Sequence, residues 1–377
     1  MLTGVELVNF KAFAQQEMPL RPLTLLTGLN SSGKSTVLHA LALLRQSADA
    51  GTLPAGRKPL GHHGFTLNGD LVSLGTGRDV RHEAWVKFSD ADPGGIGIGL
   101  IGASGASWQW SVDYVADDDL LSLSSDNPLQ DRHRPNLFDP GFQYLRSDRI
   151  NPAVSYPRSA AGRRGFLGVH GEHAVNILRL RQDDSVPASV RHPDAVSASL
   201  LRQSEAWLGT LCPGINLSAT DITGTDSVRL GYRFGTGGLS SSNPYRPTNV
   251  GFGLTYALPI VIACLTAVPG SLILLENPEA HLHPRGQSAM AELIARTCAA
   301  GAQVLVETHS DHVLNGLRIA VKNGILPHDQ VCPLYFRRDD DHVHRVEVLD
   351  LGPKGTISHW PEGFFDEWDR ALDELID

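Results

Sequence analysis

The chain has 377 residues and a mass of 40.7 kDa, which allows two or three domains, or one domain with insertions. Its composition, 41% hydrophobic and 19% charged, excludes collagen, coiled-coil rods and a wholly disordered chain. The formal net charge of −9 excludes a uniformly basic nucleic-acid binder but allows a local basic face.

The four cysteines are far apart and form no CxxC pair, so we expect reduced thiols in a cytoplasmic protein. Residues 1–10 lack the pattern of a signal peptide. The most apolar stretch, residues 257–275, is interrupted by two prolines and a glycine. A membrane span needs about 20 apolar residues without such breaks, so we expect no contact with a membrane.

Periodicity and turn residues predict strands at 5–8 and 23–27, followed by a helix at 34–46. An antiparallel lobe is predicted within 66–115, with short alternating runs at 83–88 and 108–114, and a mobile loop follows at 116–142. Next come a strand at 143–150, helical patterns within 171–211 and a hairpin at 215–234. The second half continues with a helix from 249, a strand at 272–275, a helix at 285–300, a strand at 303–307, a helix at 311–322 and β segments at 331–337 and 343–348. Helices that alternate with buried strands at both ends of the chain predict an α/β core with parallel strands.

A phosphate-binding turn is predicted at residues 28–35, which satisfy G-x-x-x-x-G-K-[ST] between a strand and a helix. The backbone N–H groups of such a turn face a phosphate, Lys34 reaches the β- and γ-phosphates, and the Ser35 hydroxyl ligates Mg²⁺. The alternative is a chance glycine-rich turn. The predicted ATP-binding residues of this turn are Gly28, Asn30, Ser31, Ser32, Gly33, Lys34, Ser35 and Thr36.

An acidic residue, Glu276, ends the apolar strand 272–275, where a P-loop protein needs a carboxylate for Mg²⁺. The residues that follow it include Glu279, His281 and His283, whose alternation resembles a set of metal ligands. We favour the alternative, a loop that contacts a second subunit. The next apolar strand leads to His309, for which we favour a γ-phosphate sensor over a purely structural histidine.

Together these residues resemble the ABC-type ATPases of the RecF, SMC and OLD-like group. The OLD-like branch is indicated by Asn30 in the turn, by PEAHLHP at 278–284 and by ETHS at 307–310. Further matches lie at 9–13, 67–75, 144–152, 249–259 and 360–366, the last of which resembles a C-terminal WPEGFF module found in one bacterial subfamily.

The resemblance implies an α/β P-loop NTPase fold of the ABC-ATPase type, with a mixed, mostly parallel sheet flanked by helices, an inserted β-rich lobe and a helical subdomain. We expect five regions: the first half of the ATPase core at 1–60, the β-rich lobe at 61–145, an inserted helical arm at 146–248, the second half of the core at 249–325 and a small C-terminal module at 326–377.

The resemblance also implies an ATP-dependent homodimer, in which the P-loop of one subunit and the signature motif of the other enclose ATP. Gly251 and Gly253 would allow close approach to the nucleotide, and Thr255 would offer its hydroxyl to the γ-phosphate in trans. The alternative is that these glycines only form a tight loop before a buried helix.

One position departs from the pattern of the group. Related ATPases place a glutamate directly after the Mg²⁺-associated acid, whereas here Asn277 follows Glu276. Asparagine holds a water molecule but does not accept its proton, so we predict slow, Mg²⁺-dependent hydrolysis of ATP. Glu279 or His309 would compensate for the missing base.

A basic segment spans residues 132–191, which contain ten arginines and five acidic residues. Arginine suits phosphate contacts, so this segment is a candidate for binding DNA or RNA. The alternative is an ordinary surface whose arginines pair internally. A second charged run, RRDDDHVH at 337–344, is interpreted as a hairpin turn rather than a metal cluster.

These features predict the ATPase subunit of a bacterial multi-component system, such as anti-phage defence or DNA maintenance. It would gate a separately encoded effector, because about 70 residues after Ser310 leave little room for a fused nuclease. The alternative is an ATP-clamped scaffold or DNA-binding protein with little turnover. A transporter ATPase is a weaker alternative.

Overall fold

The computed structural model describes residues 1–53, 63–83, 94–124, 135–159, 165–235, 242–339 and 343–376. The chain forms two compact units. Unit 1 comprises Met1–Asp139, Cys332–Asp350 and Ile357–Asp377, and unit 2 comprises Pro140–Val331 and Leu351–Thr356. The five regions expected from the sequence stay a prediction.

Unit 1 contains an antiparallel sheet with the strand order β2-β1-β5-β6. Its strands are β1 (Leu2–Phe10), β2 (Phe13–Pro19), β5 (Ile96–Gly102) and β6 (Ser107–Val112). They confirm an antiparallel lobe in the described part of 66–115, whereas the predicted run 83–88 lies almost wholly outside the described residues.

A second, two-stranded sheet pairs β4 (Gly64–Thr66) with β7 (Leu120–Ser122), and a short helix α2 (Gly77–Val80) lies between them in sequence. The prediction of a mobile loop at 116–142 is therefore wrong for β7 and for the 3₁₀ turn at Asn136–Phe138. Leu121 is fully buried opposite Phe65, so an apolar pair joins β7 to β4 in an otherwise polar segment.

The phosphate-binding turn of unit 1 joins β3 (Leu23–Gly28) to α1 (Lys34–Asp49). In the same unit, β3 neighbours β14 (Val331–Arg338), and β14 pairs antiparallel with β15 (His344–Val348). The chain then leads to α8 (Glu367–Ile376). These strands confirm the predicted β segments at 331–337 and 343–348.

Unit 2 is built around parallel strands in the order β13-β12-β8. They are β8 (Gln143–Leu145), β12 (Leu272–Glu276) and β13 (Gln303–Glu307), and every residue of all three is buried. Their helices are α5 (Phe252–Thr266), α6 (Pro284–Ala299) and α7 (Asp311–Lys322). Glu276 and Glu307 are register partners, so both acids emerge at the same strand ends.

A smaller antiparallel sheet of unit 2 has the order β10-β11-β9. The predicted hairpin is confirmed as β10 (Ile215–Asp221) and β11 (Ser227–Phe234), which pair along their whole length, and β9 (Tyr156–Pro157) joins its edge. The helical patterns of 171–211 form α3 (Ala174–Arg181) and α4 (Leu200–Gly209). The predicted α/β class, with a mixed, largely parallel sheet flanked by helices, is confirmed.

Two features of the described residues bear on the predictions from composition. All four cysteines are free thiols, and three of them are buried. None of the described helices is long and apolar enough to cross a bilayer. The apolar stretch 257–275 forms most of α5, a turn and the start of β12, as predicted.

Candidate functional site

The turn between β3 and α1 has a backbone that only particular residues adopt. Gly28 and Gly33 have φ values of 135° and 102°, and Ser31 lies in the left-handed region at 59°. A Cβ at Gly28 would lie 2.0 Å from the Phe336 carbonyl oxygen of β14, so this glycine is required sterically as well as conformationally. The turn is therefore packed tightly against β14.

The Lys34 ammonium lies within this turn and donates to the Gly28 carbonyl (3.0 Å) and the Leu29 carbonyl (2.6 Å). No side chain caps the N-terminus of α1, whose first N–H groups point into the turn. Leu29 and Asn30 at the tip are exposed, whereas Ser32 and Thr36 are buried. An ammonium beside an uncapped helix N-terminus is an arrangement that suits a phosphate.

In unit 2 the carboxylate of Glu276 is buried at the end of β12 and is held on both oxygens. The Tyr144 hydroxyl, from the neighbouring strand β8, donates to Oε1, and the Ser147 backbone N–H donates to Oε2 at 3.0 Å. Burial, followed by the charge of Glu276, raises the pKa of Tyr144 well above its ordinary value, so Tyr144 remains a donor. The carboxylate is fixed in place before any ligand binds.

Arg149 lies beneath the chain that leaves β12 and is 2% exposed. Its Nη1 donates to the carbonyls of Glu276 (2.6 Å) and Arg146 (2.9 Å), and its Nη2 donates to the Asn277 carbonyl (2.6 Å). Burial lowers the pKa of Arg149 to about 10, and the charge of Glu279 is the largest opposing influence. Arg149 is therefore still a cation at neutral pH and fixes the backbone after Glu276.

The Asn277 backbone is held in the left-handed region at φ 44°. Its N–H donates to the Glu307 carbonyl at the end of β13 (2.8 Å), while Arg149 holds its carbonyl. Asparagine is one of the few residues with a side chain that accept this conformation readily. Position 277 thus has a backbone requirement in addition to any chemical role.

Glu279 and His309 are in contact at the ends of the parallel strands. The His309 backbone N–H donates to Glu279 Oε1 at 2.9 Å, and Glu279 Oε2 is buried without a hydrogen-bond partner. The His309 residue itself is exposed. A carboxylate oxygen with unused acceptor capacity is chemically able to take a proton.

The metal-ligand alternative for Glu279, His281 and His283 is not supported. The His281 ring packs edge-on against Tyr256 with centroids 4.6 Å apart, and His283 caps the N-terminus of α6. Within the described ranges, no group of three histidine, cysteine or acidic residues has metal-binding geometry.

The predicted signature motif begins α5. Gly251 precedes the helix and is exposed, while a Cβ at Gly253 would lie 2.5 Å from the His281 carbonyl. Gly253 is thus required by close packing within unit 2. Thr255 is fully buried, and its hydroxyl lies 3.3 Å from the Tyr232 hydroxyl. In this structure the hydroxyl is directed inward against Tyr232 of β11, and its contact with a nucleotide in trans stays a prediction.

The contacts of the described arginines within 132–191 favour the alternative of internal pairing over a surface that binds nucleic acid. Arg132, Arg134, Arg163 and Arg164 lie outside the described residues. The six described arginines all make hydrogen bonds or ion pairs within unit 2. Those six are Arg146, Arg149, Arg158, Arg179, Arg181 and Arg191.

The charged run at 337–344 joins the paired strands β14 and β15, as a hairpin turn requires. Asp339 accepts hydrogen bonds from the Val343 N–H (2.7 Å) and from Arg345 (2.9 Å). Residues 340–342 lie outside the described part of the chain.

The residues present fit ATP and Mg²⁺ by the chemistry of their donors. Unit 1 offers the glycine cradle, Lys34 and the partly exposed Ser35, and unit 2 offers the fixed carboxylate of Glu276. Sequence reasoning missed Tyr144 and Arg149 as site residues. The register of β8 against β12 explains Tyr144, which pairs with Leu274, two residues before Glu276.

Comparisons with protein families match three segments. Residues 1–73 match an AAA ATPase domain, and residues 178–315 match an AAA domain whose description names the AbiEii toxin of a type IV TA system. Residues 326–375 match a family described as "Protein of unknown function (DUF3696)".

A curated relative, an OLD nuclease from Thermus scotoductus, is 25% identical to this chain over 90% of its length. The chain spans 65% of the length of that relative.

Solved structures with a similar fold are heads of SMC proteins. An SMC head bound to the C-winged helix domain of ScpA is 16% identical, with a TM-score of 0.54 over 93% of this chain and 98% of that one. An SMC head with an extended coiled coil, bound to the C-terminal domain of ScpA derived from Pyrococcus furiosus, is 13% identical, with a TM-score of 0.50 over 100% and 99%. The two ATPase-domain matches and the OLD relative agree with the turn and the acidic strand end, and with the SMC-head fold they support an ABC-type ATPase of the OLD-like and RecF-like kind.

Proposed function

We propose that this ATPase binds ATP with Mg²⁺, forms a homodimer around the nucleotide and hydrolyses it slowly. The observation that carries the proposal is the fixed carboxylate of Glu276, followed by Asn277 in a constrained backbone. The first residue supplies the acid that a P-loop site needs, and the second lacks the proton-accepting group that fast turnover needs.

Each residue of the proposed site has a stated task. The turn at Gly28–Gly33 and Lys34 bind the phosphates, and Ser35 and Glu276 hold Mg²⁺, which neutralises phosphate charge when bound. Asn277 orients a water molecule through its side-chain amide. Glu279, whose Oε2 has no partner, accepts the proton, and His309 contacts the γ-phosphate.

The test is a pair of measurements on the purified chain, nucleotide binding by calorimetry and single-turnover hydrolysis. We expect Lys34→Ala to abolish binding, and Glu276→Gln to retain ATP binding while it abolishes hydrolysis. Turnover as fast as that of transport ATPases would overturn the slow-switch proposal. Retained affinity in Lys34→Ala would overturn the assignment of the turn.

The role of such a switch is to control a separately encoded effector in anti-phage defence or DNA maintenance. Support comes from the OLD-like resemblance and from the curated relative, which is named as a nuclease but of which this chain spans 65%. Co-expression with the proteins of neighbouring genes, followed by affinity purification with and without ATP, tests this role. An effector that binds equally to wild type and Lys34→Ala would contradict nucleotide gating.

A second candidate is a scaffold that assembles around ATP and barely hydrolyses it. Asn277 favours this candidate, because its amide accepts no proton. The two candidates differ in the fate of bound ATP. Effector release that follows the rate of phosphate formation supports the switch, and release without phosphate formation supports the scaffold.

A further inference from the structure

A cavity of about 810 Å³ opens in unit 2 beside the signature loop, residues 249–253. Leu211, Leu254 and Leu282 form part of its apolar wall. Its polar rim carries His281, His283 and Arg285, all exposed. No acidic residue is among the described residues that line it, so the cavity suits an apolar group flanked by negative charge.

The chain carries a segment with that chemistry in α8. Leu372, Leu375 and Ile376 recur at helical spacing and are 38%, 82% and 80% exposed. In sequence, α8 holds four acids and one arginine. Exposed leucine and isoleucine on an acidic helix match both the apolar wall and the cationic rim of the cavity.

The C-terminal module that carries α8 is anchored beside the P-loop in unit 1. His344 of β15 donates through Nδ1 to the Ser32 carbonyl of the turn at 2.9 Å. The buried Phe364 packs edge-on against Tyr335 of β14, with ring centroids 5.3 Å apart, and the Tyr335 hydroxyl donates to the Glu362 carbonyl. The module therefore moves with the P-loop.

We propose that α8 of one copy docks in this cavity of a second copy, as a clasp on the ATP-bound dimer. The inference rests on the proposed homodimer around ATP, with the signature loop of one copy facing the P-loop of the other as the family resemblance implies. Residues 249–251 and 253 of that loop line the cavity, so the partner's P-loop brings its attached module to the cavity mouth. Twofold symmetry gives two such clasps for each dimer.

The test uses a cysteine that the chain already has. Cys212 lines the cavity and is partly exposed, whereas the other three cysteines are buried. Leu375→Cys places a second thiol on the apolar face of α8, and Glu374→Cys, one residue earlier, places it on a different face. Each variant is made with Cys212→Ser and mixed with a differently tagged chain that retains Cys212, so that a disulfide forms only between copies.

With Mg²⁺ and a non-hydrolysable ATP analogue, we expect Leu375→Cys to cross-link to the tagged chain at least about tenfold faster than Glu374→Cys, as a docked thiol has a raised effective concentration. Equal rates, or no cross-link, would overturn the clasp. A Leu375→Cys variant that retains Cys212 tests the alternative that α8 docks in the cavity of its own chain. A disulfide within one chain, seen as a faster-migrating monomer, would also overturn the clasp.

Light scattering of the wild-type chain with and without the analogue separates the two proposals. A dimer that forms without the cross-link leaves the proposed function standing and removes the clasp. If no dimer forms, both the proposed homodimer and the clasp are wrong.

Discussion

Replacing Asn277 with glutamate tests whether the missing base limits hydrolysis. The new carboxylate would follow Glu276 directly, and a positioned general base contributes about 10²–10⁴-fold to a proton transfer. The backbone at φ 44° is held from both sides, by Glu307 and Arg149, so it does not relax to suit the new side chain. We therefore expect Asn277→Glu to hydrolyse ATP at least about tenfold faster and to lose about 1 kcal/mol of unfolding free energy.

Single-turnover hydrolysis at saturating ATP and urea unfolding measure the two effects. Asn277→Gly is the matched control, because glycine accepts the left-handed backbone but brings no base. It should unfold at a similar or higher urea concentration than wild type, with no gain in turnover. If Asn277→Glu folds and binds ATP but hydrolyses it at the wild-type rate, proton transfer to residue 277 is not limiting, and the explanation of slow turnover is wrong.

Other parts of the site give independent predictions. Arg149→Met removes three hydrogen bonds to backbone carbonyls from a buried guanidinium and should cost about 3–5 kcal/mol in urea unfolding, with Arg149→Lys clearly milder; equal losses would contradict the role of the guanidinium fork. Thr255→Val should cost about 1 kcal/mol and leave ATP turnover unchanged, because the Thr255 hydroxyl is buried against Tyr232; lost turnover with intact stability would restore the trans role. Gly28→Ala should abolish ATP binding in calorimetry, because its Cβ would lie 2.0 Å from a carbonyl oxygen. Burial raises the pKa of the Cys264 thiol to about 12, above its ordinary 9.0. The unfolded chain therefore releases this proton first, so this thiol alone lowers the free energy of unfolding by roughly 1.4 kcal/mol per pH unit between about pH 9 and about pH 12, and Cys264→Ala should make the measured slope shallower by that amount.

Local patterns in the sequence predicted the elements that local physics determines. The turn at 28–35 needs its glycines for its own backbone, and the hairpin 215–234 shows its strands through period-two burial. Both appear in the structure within a few residues of their predicted bounds. The acidic strand end was visible for the same reason, since a buried apolar run that stops at a glutamate is a local feature.

The contacts that hold Glu276 were not predictable in this way. Tyr144 lies 132 residues from its carboxylate partner in sequence, and only the parallel register of β8 and β12 brings them together. Counting charges along 132–191 likewise failed to show that Arg149 is buried beneath a loop. Thr255 stands where the family pattern places a nucleotide contact, but Tyr232 of a distant hairpin decides where its hydroxyl points.

The rigidity of this acidic strand end bears on how ATP binding would be used. Two donors already hold the Glu276 carboxylate, and Arg149 already holds the chain after it, so ligand binding spends little free energy on ordering these groups. The free energy of ATP binding that is not used to order these groups is available to shift a conformational equilibrium elsewhere in the protein. This holds for any two-state switch whose ligand binds one state more tightly than the other. The signature loop, which lines the cavity that we assign to α8, is where a second copy would receive this free energy. A site that is ordered in advance and lacks its usual base is therefore better suited to holding two copies together than to rapid turnover.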